Sequence, residues 1–170
     1  MKYLGCLLVL FLAMPSLGAV SAKKAKPVAK KILSGEGAVF GGIAGSGFSL
    51  LDVRLSANKK KKIERVVIDV GDKNGATMKG LPGFYYAELK KNPQRLVIDF
   101  SQMPKAKVKE SQLNQIFKAS RAVVGTAITA DPVDSSLSLT LDLKKNTKVR
   151  VYQVAGKKST SKVVIDLLAE

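Results

Sequence analysis

The chain has 170 residues, with 29 Lys and Arg against 13 Asp and Glu, no histidine and one cysteine. A formal charge of +16 calls for an anionic partner: nucleic acid, a membrane surface or an acidic polymer. Without histidine, no serine or cysteine triad with an imidazole base can exist, and no His-containing metal site either.

The first stretch, "MKYLGCLLVLFLAMPSLGAVSA" (1–22), has the layout of a signal peptide. Lys2 gives the positive start, Leu4 to Met14 the apolar run, and Val20-Ser21-Ala22 the small residues before the cut. Cleavage is expected after Ala22, with export of the rest. Cys6 comes before the apolar run, too early for a lipoprotein cysteine, and is discarded with the leader. The expected mature chain, 170 less 22, has 148 residues and a charge of +15 once Lys2 is lost. It carries no cysteine, so a disulfide framework is excluded and one packed domain must supply the stability. For an exported protein, cell-wall material and lipid headgroups are the polyanions within reach. Nucleic acid then rests on charge alone and is not an expected partner.

Residues 23–31, "KKAKPVAKK", form a basic arm expected to be solvated. The glycine-rich 32–47 has no preceding strand and following helix for a dinucleotide loop. Gly37, Gly41 and Gly45 share the four-residue spacing of packed membrane helices, but Ser34 and Glu36 interrupt the span. Membrane association therefore stays open. The expectation for 23–47 is an arm and a flexible linker, with the domain at 48–170.

From Phe48 the hydrophobic period becomes two. Strands are expected at 48–55, 63–70, 84–89, 95–100, 122–129, 137–143, 148–154 and 162–168, separated by turn residues such as Asn92-Pro93. Eight short β runs argue for an all-β sandwich or barrel. Leu113, Ile116 and Phe117 fall at helical spacing, so 110–118 reads as one short helix capping an open end of the core. The order is four strands, helix, four strands. "RVVIDV" (65–70), "RLVIDF" (95–100) and "KVVIDL" (162–167), with "LSLTLDL" as a weakened copy, suggest an internal duplication.

Alternation places Val66, Ile68 and Val70, Leu96, Ile98 and Phe100, and Val163, Ile165 and Leu167 on the core side. Arg65, Val67 and Asp69, Arg95, Val97 and Asp99, and Lys162, Val164 and Asp166 then look outward. Arg95 and Asp99 lie about 13 Å apart along one strand and cannot pair, while exposed cross-strand pairs would contribute about 0.2–1 kcal/mol each. Two readings stay open for this face: a solvated surface with weak ion pairs, or a docking face for a polymer or partner.

Glycoside hydrolysis needs two carboxylates facing across a cleft. Asp69, Asp99, Asp142 and Asp166 are instead spread over separate strands in water, so the chain is not expected to be an enzyme. Asp131 and Asp134 offer too few ligands for calcium, and Asp131 reads as a turn former. No metal or cofactor is expected. Tyr85 and Tyr86 alternate across their strand, so one must face out, and Tyr85 is assigned to the binding face. Lys59 to Lys62, Lys90, Lys91, Lys144, Lys145, Lys157 and Lys158 are spread over several turns, which suits diffuse contact with a polymer.

"LLDVRL" (50–55), "RVVIDV" and above all "LKKNPQRLVIDF" (89–100) resemble the AMIN domain, the amidase N-terminal domain of bacterial envelope proteins. "SRAVVGTA" (120–127) and "SKVVIDLL" (161–168) are similar to the start of that family's second half and to its last strand. The resemblance covers 48–168. It implies a sandwich of two four-stranded sheets in a periplasmic, non-catalytic module that binds peptidoglycan and localises envelope machinery. Carried over, the binding face comprises Arg65, Asp69, Arg95, Val97, Asp99, Lys162 and Asp166. The copy "LSLTLDL" departs from the pattern, with Ser138 and Thr140 in place of a cation and valine. An alternative of a different class is a protein-interaction subunit of a type IV pilus or secretin-type secretion assembly, docking on a sheet edge or face. A pilus, secretin or amidase protein would then be the partner. High salt separates the two, because diffuse wall binding collapses and a docked apolar interface persists.

Overall fold

A computed structural model describes residues 32–45, 47–156 and 160–168. The expected signal peptide, the basic arm to residue 31, and Lys157 and Lys158 lie outside the described residues.

In chain order the elements are β1 (Ile32–Leu33), β2 (Gly37–Gly41), β3 (Ser49–Asn58), β4 (Ile63–Gly71), β5 (Tyr85–Lys90) and β6 (Arg95–Phe100). They continue with β7 (Lys105–Ala106), α1 (Glu110–Phe117), β8 (Val123–Asp131), β9 (Ser136–Leu143), β10 (Lys148–Val154) and β11 (Ser161–Leu168). Alternation of apolar with polar residues makes each long strand one-sided. The burial of β6 alternates from end to end, with Leu96, Ile98 and Phe100 fully enclosed. Val66, Ile68, Val163, Ile165 and Leu167 meet them in a single core.

The protein is all-β with one short helix. The first sheet runs β1-β10-β11-β4-β3-β7 and the second β2-β5-β6-β9-β8. The expectation of two four-stranded sheets is therefore corrected to six and five strands. Each sheet holds four long strands, and the additions are the short edges β1 and β7 in the first and β2 in the second. Exchanging β3, β4, β5 and β6 for β8, β9, β10 and β11 converts the order β3-β4-β11-β10 into β8-β9-β6-β5. Both outer hairpins carry a bulge at the matching place, between Leu50 and Asp52 and between Val123 and Gly125. The paired apolar residues Leu50-Leu51 and Val123-Val124 mark them: one residue of each is surplus to the alternation.

Residues 32–45 correct a second expectation, since they join both sheets instead of forming a linker. β1 pairs with β10 and β2 with β5, so this segment crosses from one sheet to the other along one side of the sandwich. The Gly42 amide donates to Gln153 Oε1 on β10 at 2.5 Å. Glycine serves close approach here: Gly42 has φ 88°, and a Cβ would lie 2.2 Å from the Gly83 carbonyl oxygen. On the opposite side, α1 packs against β8 and β3, burying Leu113 and Phe117.

Tyr85 is enclosed beside Phe100, 6.5 Å between ring centroids, and burial pushes its phenol up to about 12 from the ordinary 10. The folded state thus holds this proton more tightly than the unfolded chain. The stability it contributes is complete below pH 10 and is lost as pH rises through 12. In a tyrosinate absorbance titration, Tyr85→Phe is expected to remove a step near pH 12 and to leave the earlier steps in place.

Candidate functional site

The pairing of β4 with β11 and of β6 with β9 sets what each outer face presents. Across the first sheet, β10 to β3, one outward row reads Arg150, Asp166, Arg65 and Ser56. The next reads Tyr152, Val164, Val67 and Arg54, and the third Val154, Lys162, Asp69 and Asp52. Cation therefore meets carboxylate between strands, and Arg54 Nε also lies 3.5 Å from Asp52 Oδ2 along β3.

The contacts follow that register. Arg65 donates from Nε and NH2 to the two carboxylate oxygens of Asp166 at 2.6 and 3.1 Å, and Arg150 NH1 lies 3.8 Å from Asp166 Oδ2. The Arg65 guanidinium stands over the Tyr152 ring, 6.0 Å from its centroid. Its hydrogen bond to Asp166 raises its pKa, against the opposing effect of burial. Burial, and then the Asp166 carboxylate, raises the Tyr152 phenol. Asp69 accepts from Arg54 NH2 at 2.5 Å and from the Thr160 hydroxyl at 2.9 Å, and forms an ion pair with Lys162 Nζ at 3.1 Å.

Of the two readings left open for this face, its carboxylates depart from that of a solvated surface. Asp166 is 2% and Asp69 7% exposed. The charged heads of Arg54, Arg65, Arg150 and Lys162 pair with these carboxylates, which are less exposed than the cations that reach them. Val164 is buried as well. The first sheet's outer face is thus a closed electrostatic ladder.

The second sheet is more open. Its outward rows, from β2 to β8, read Phe40, Tyr86, Asp99, Ser138 and Thr129, then Ala38, Glu88, Val97, Thr140 and Ala127. A third row runs Lys90, Arg95, Asp142 and Gly125. Arg95 Nε donates to Asp142 Oδ1 at 2.6 Å, and the Ser138 hydroxyl donates to Asp99. Phe40 is 68% exposed, Phe84 stands 6.5 Å from it between ring centroids, and Tyr86 is also exposed. Three aromatic rings thus border a strip of hydroxyls and carboxylates.

Tyr85 is a correction. It faces the core, and Tyr86 is the tyrosine on the outer face, because β5 buries Tyr85, Ala87 and Leu89 together. Phe40 was missed because it lies in the glycine-rich segment; its signal is the short alternation in "GAVFG". Arg65, Asp69, Lys162 and Asp166 gather on the first sheet, and Arg95, Val97 and Asp99 on the second. Sequence reasoning also missed Glu64, a buried carboxylate at the start of β4. Asp131 Oδ1 accepts from the Val133 amide at 2.8 Å, the contact of a turn former.

Asp69 and Asp166 belong to one sheet and Asp99 and Asp142 to the other, so no single cleft joins the four. Among the described residues, no group of three or more Asp, Glu, Cys or His is placed to hold a metal, and no helix is long and apolar enough to cross a membrane. No protein-family model matches this chain, and a search of curated proteins finds no match.

Two ion pairs with the same 2.6 Å Nε–Oδ1 contact differ in their surroundings: Asp166 is 2% exposed and Asp142 35%. Removing half-exposed Arg65 leaves a buried carboxylate with the Arg150 guanidinium 3.8 Å away, whereas the Asp142 carboxylate is rehydrated. Arg65→Ala is therefore expected to cost about 2 kcal/mol, and Arg95→Ala less than about 1 kcal/mol, in chemical denaturation. Equal losses would show that the two faces are not electrostatically distinct.

Proposed function

We propose that this protein is a non-catalytic, exported module of the periplasm that binds peptidoglycan and localises envelope machinery, in the manner of an AMIN domain. The observation that carries the reading is the open outer face of the second sheet. There Phe40, Phe84 and Tyr86 stand beside Asp99, Ser138, Thr140 and Glu88. Sugar rings have apolar faces that rest on aromatic side chains and hydroxyls that bond to the polar groups alongside. The expected mature charge of +15 adds long-range attraction toward lactyl and peptide carboxylates, attenuated by salt. An origin by internal duplication belongs to the same proposal; its supports are the exchange of strand orders between the halves and the two matching bulges.

The second reading, a protein-interaction subunit of a pilus or secretin assembly, is favoured by the edges of the second sheet. β2 and β8 end that sheet, with Phe40 and Val124 68% and 64% exposed.

Co-sedimentation of the purified protein with isolated sacculi across a salt series tests the proposal. Pelleting is expected at low salt and should fade as salt rises. Phe40→Ala plus Tyr86→Ala, and separately Arg95→Ala plus Asp99→Ala, should each reduce it several-fold. A wild-type protein that stays in the supernatant at low salt would overturn the reading. Partner capture that persists at high salt would favour the second.

A further inference from the structure

Lysine clusters that are far apart in sequence meet at one end of the sandwich. The β3–β4 turn, the β9–β10 connection and the segment after α1 enclose a cleft of about 700 Å³ whose rim carries Lys59, Lys62, Arg121, Lys144 and Lys145. That volume is in the range of small-molecule sites. Both turns are held in tight conformations. The Lys62 amide donates to the Lys59 carbonyl, and the Thr147 amide and hydroxyl both donate to the Lys144 carbonyl. Lys62 and Asn146 take left-handed backbone angles, φ 51° and 66°.

Among the described residues one carboxylate, that of Glu64, lines the cleft, and it is already occupied. It is 6% exposed and accepts from the Ser120 hydroxyl at 2.5 Å and from the amides of Arg121 and Ala122 at 2.7 and 3.2 Å. Glu64 thus clamps the chain leaving α1 onto β4 and holds Arg121 at the rim. Five cations remain around a concave space, which focuses their field into it.

We propose that this cleft binds a pyrophosphate-class group, two adjoining phosphates carried by a lipid headgroup or by a soluble ligand. A single carboxylate is matched by one guanidinium fork, whereas five cations lining one cleft call for several negative charges in a small volume. Ammonium groups act as point charges and suit phosphate oxygens without demanding a planar partner. The site uses none of the outer-face residues, so it stands or falls apart from the wall-polymer reading.

Isothermal titration of the purified protein with inorganic pyrophosphate, at about 150 mM salt where long-range attraction is screened, tests the site. Pyrophosphate is expected to bind at least tenfold more tightly than succinate. Lys144→Gln plus Lys145→Gln should weaken it at least tenfold, and Arg121→Gln several-fold. Lys105→Gln plus Lys107→Gln, an equal charge loss at the opposite end of β3, should change it less than twofold. Thermal melts establish that each variant is folded, and Arg121→Gln carries the test if the double variant is not. Absence of pyrophosphate binding overturns the proposal, as do equal losses in the two lysine pairs or succinate binding as tightly. Once pyrophosphate binds, sedimentation with neutral phosphatidylcholine vesicles, with and without a long-chain prenyl diphosphate, names the source. Vesicle binding displaced by pyrophosphate assigns the headgroup, and its absence assigns a soluble ligand.

Discussion

The sandwich depends on two central pairings, β4 with β11 and β6 with β9, each joining a strand from one half of the chain to a strand from the other. Val66 meets Ile165 and Leu96 meets Leu141 across these seams, all on the inner side, and the core is continuous through them. Neither half can complete a sheet without its counterpart. The first seam links residues about a hundred positions apart, and such long loops must close before the contacts they bring are gained, which makes the topology slow to form.

The same seams decide the electrostatics. In the first sheet the register sets Arg65 against Asp166 and Lys162 against Asp69, so both acids find cations and are covered. In the second sheet the matching positions are Ser138 against Asp99 and Arg95 against Asp142. Ser138 gives Asp99 a hydroxyl, which brings no long charged stem to lie over the surface. Where the first sheet has Arg65, Arg150 and Arg54, the second has Ser138, Tyr86 and Ala127, so fewer cations cover its carboxylates, and this open face is where the aromatic rings stand.

Much of this was legible in the sequence, because the period of two persists over the long strands. The inward residues Leu96, Ile98 and Phe100 followed from alternation alone, and the helix around Leu113 and Phe117 from helical spacing. The edge strands did not. β1 and β7 are two residues long and carry no period, and β2 hides among glycines, of which Gly42, just beyond it, lies against the Gly83 backbone. At the outer face, alternation could say that Asp166 points away from the core, but not that neighbouring arginines would cover it. Choosing between Tyr85 and Tyr86 needed the phase of β5, which two adjacent aromatics leave open. The cleft at the turn end was invisible for another reason: it is assembled from segments about 85 residues apart, and turn lysines give no sign of which turns meet.

The paired bulges carry a consequence for how this surface can change. A one-residue slip of a strand would turn its core side chains outward, and the bulges at Leu50/Asp52 and Val123/Gly125 oppose such a slip through backbone geometry. Strand alignment is thereby insulated from the chemistry displayed on top of it. Charged and aromatic groups on the outside are free to drift toward new ligands while the frame beneath keeps its alignment.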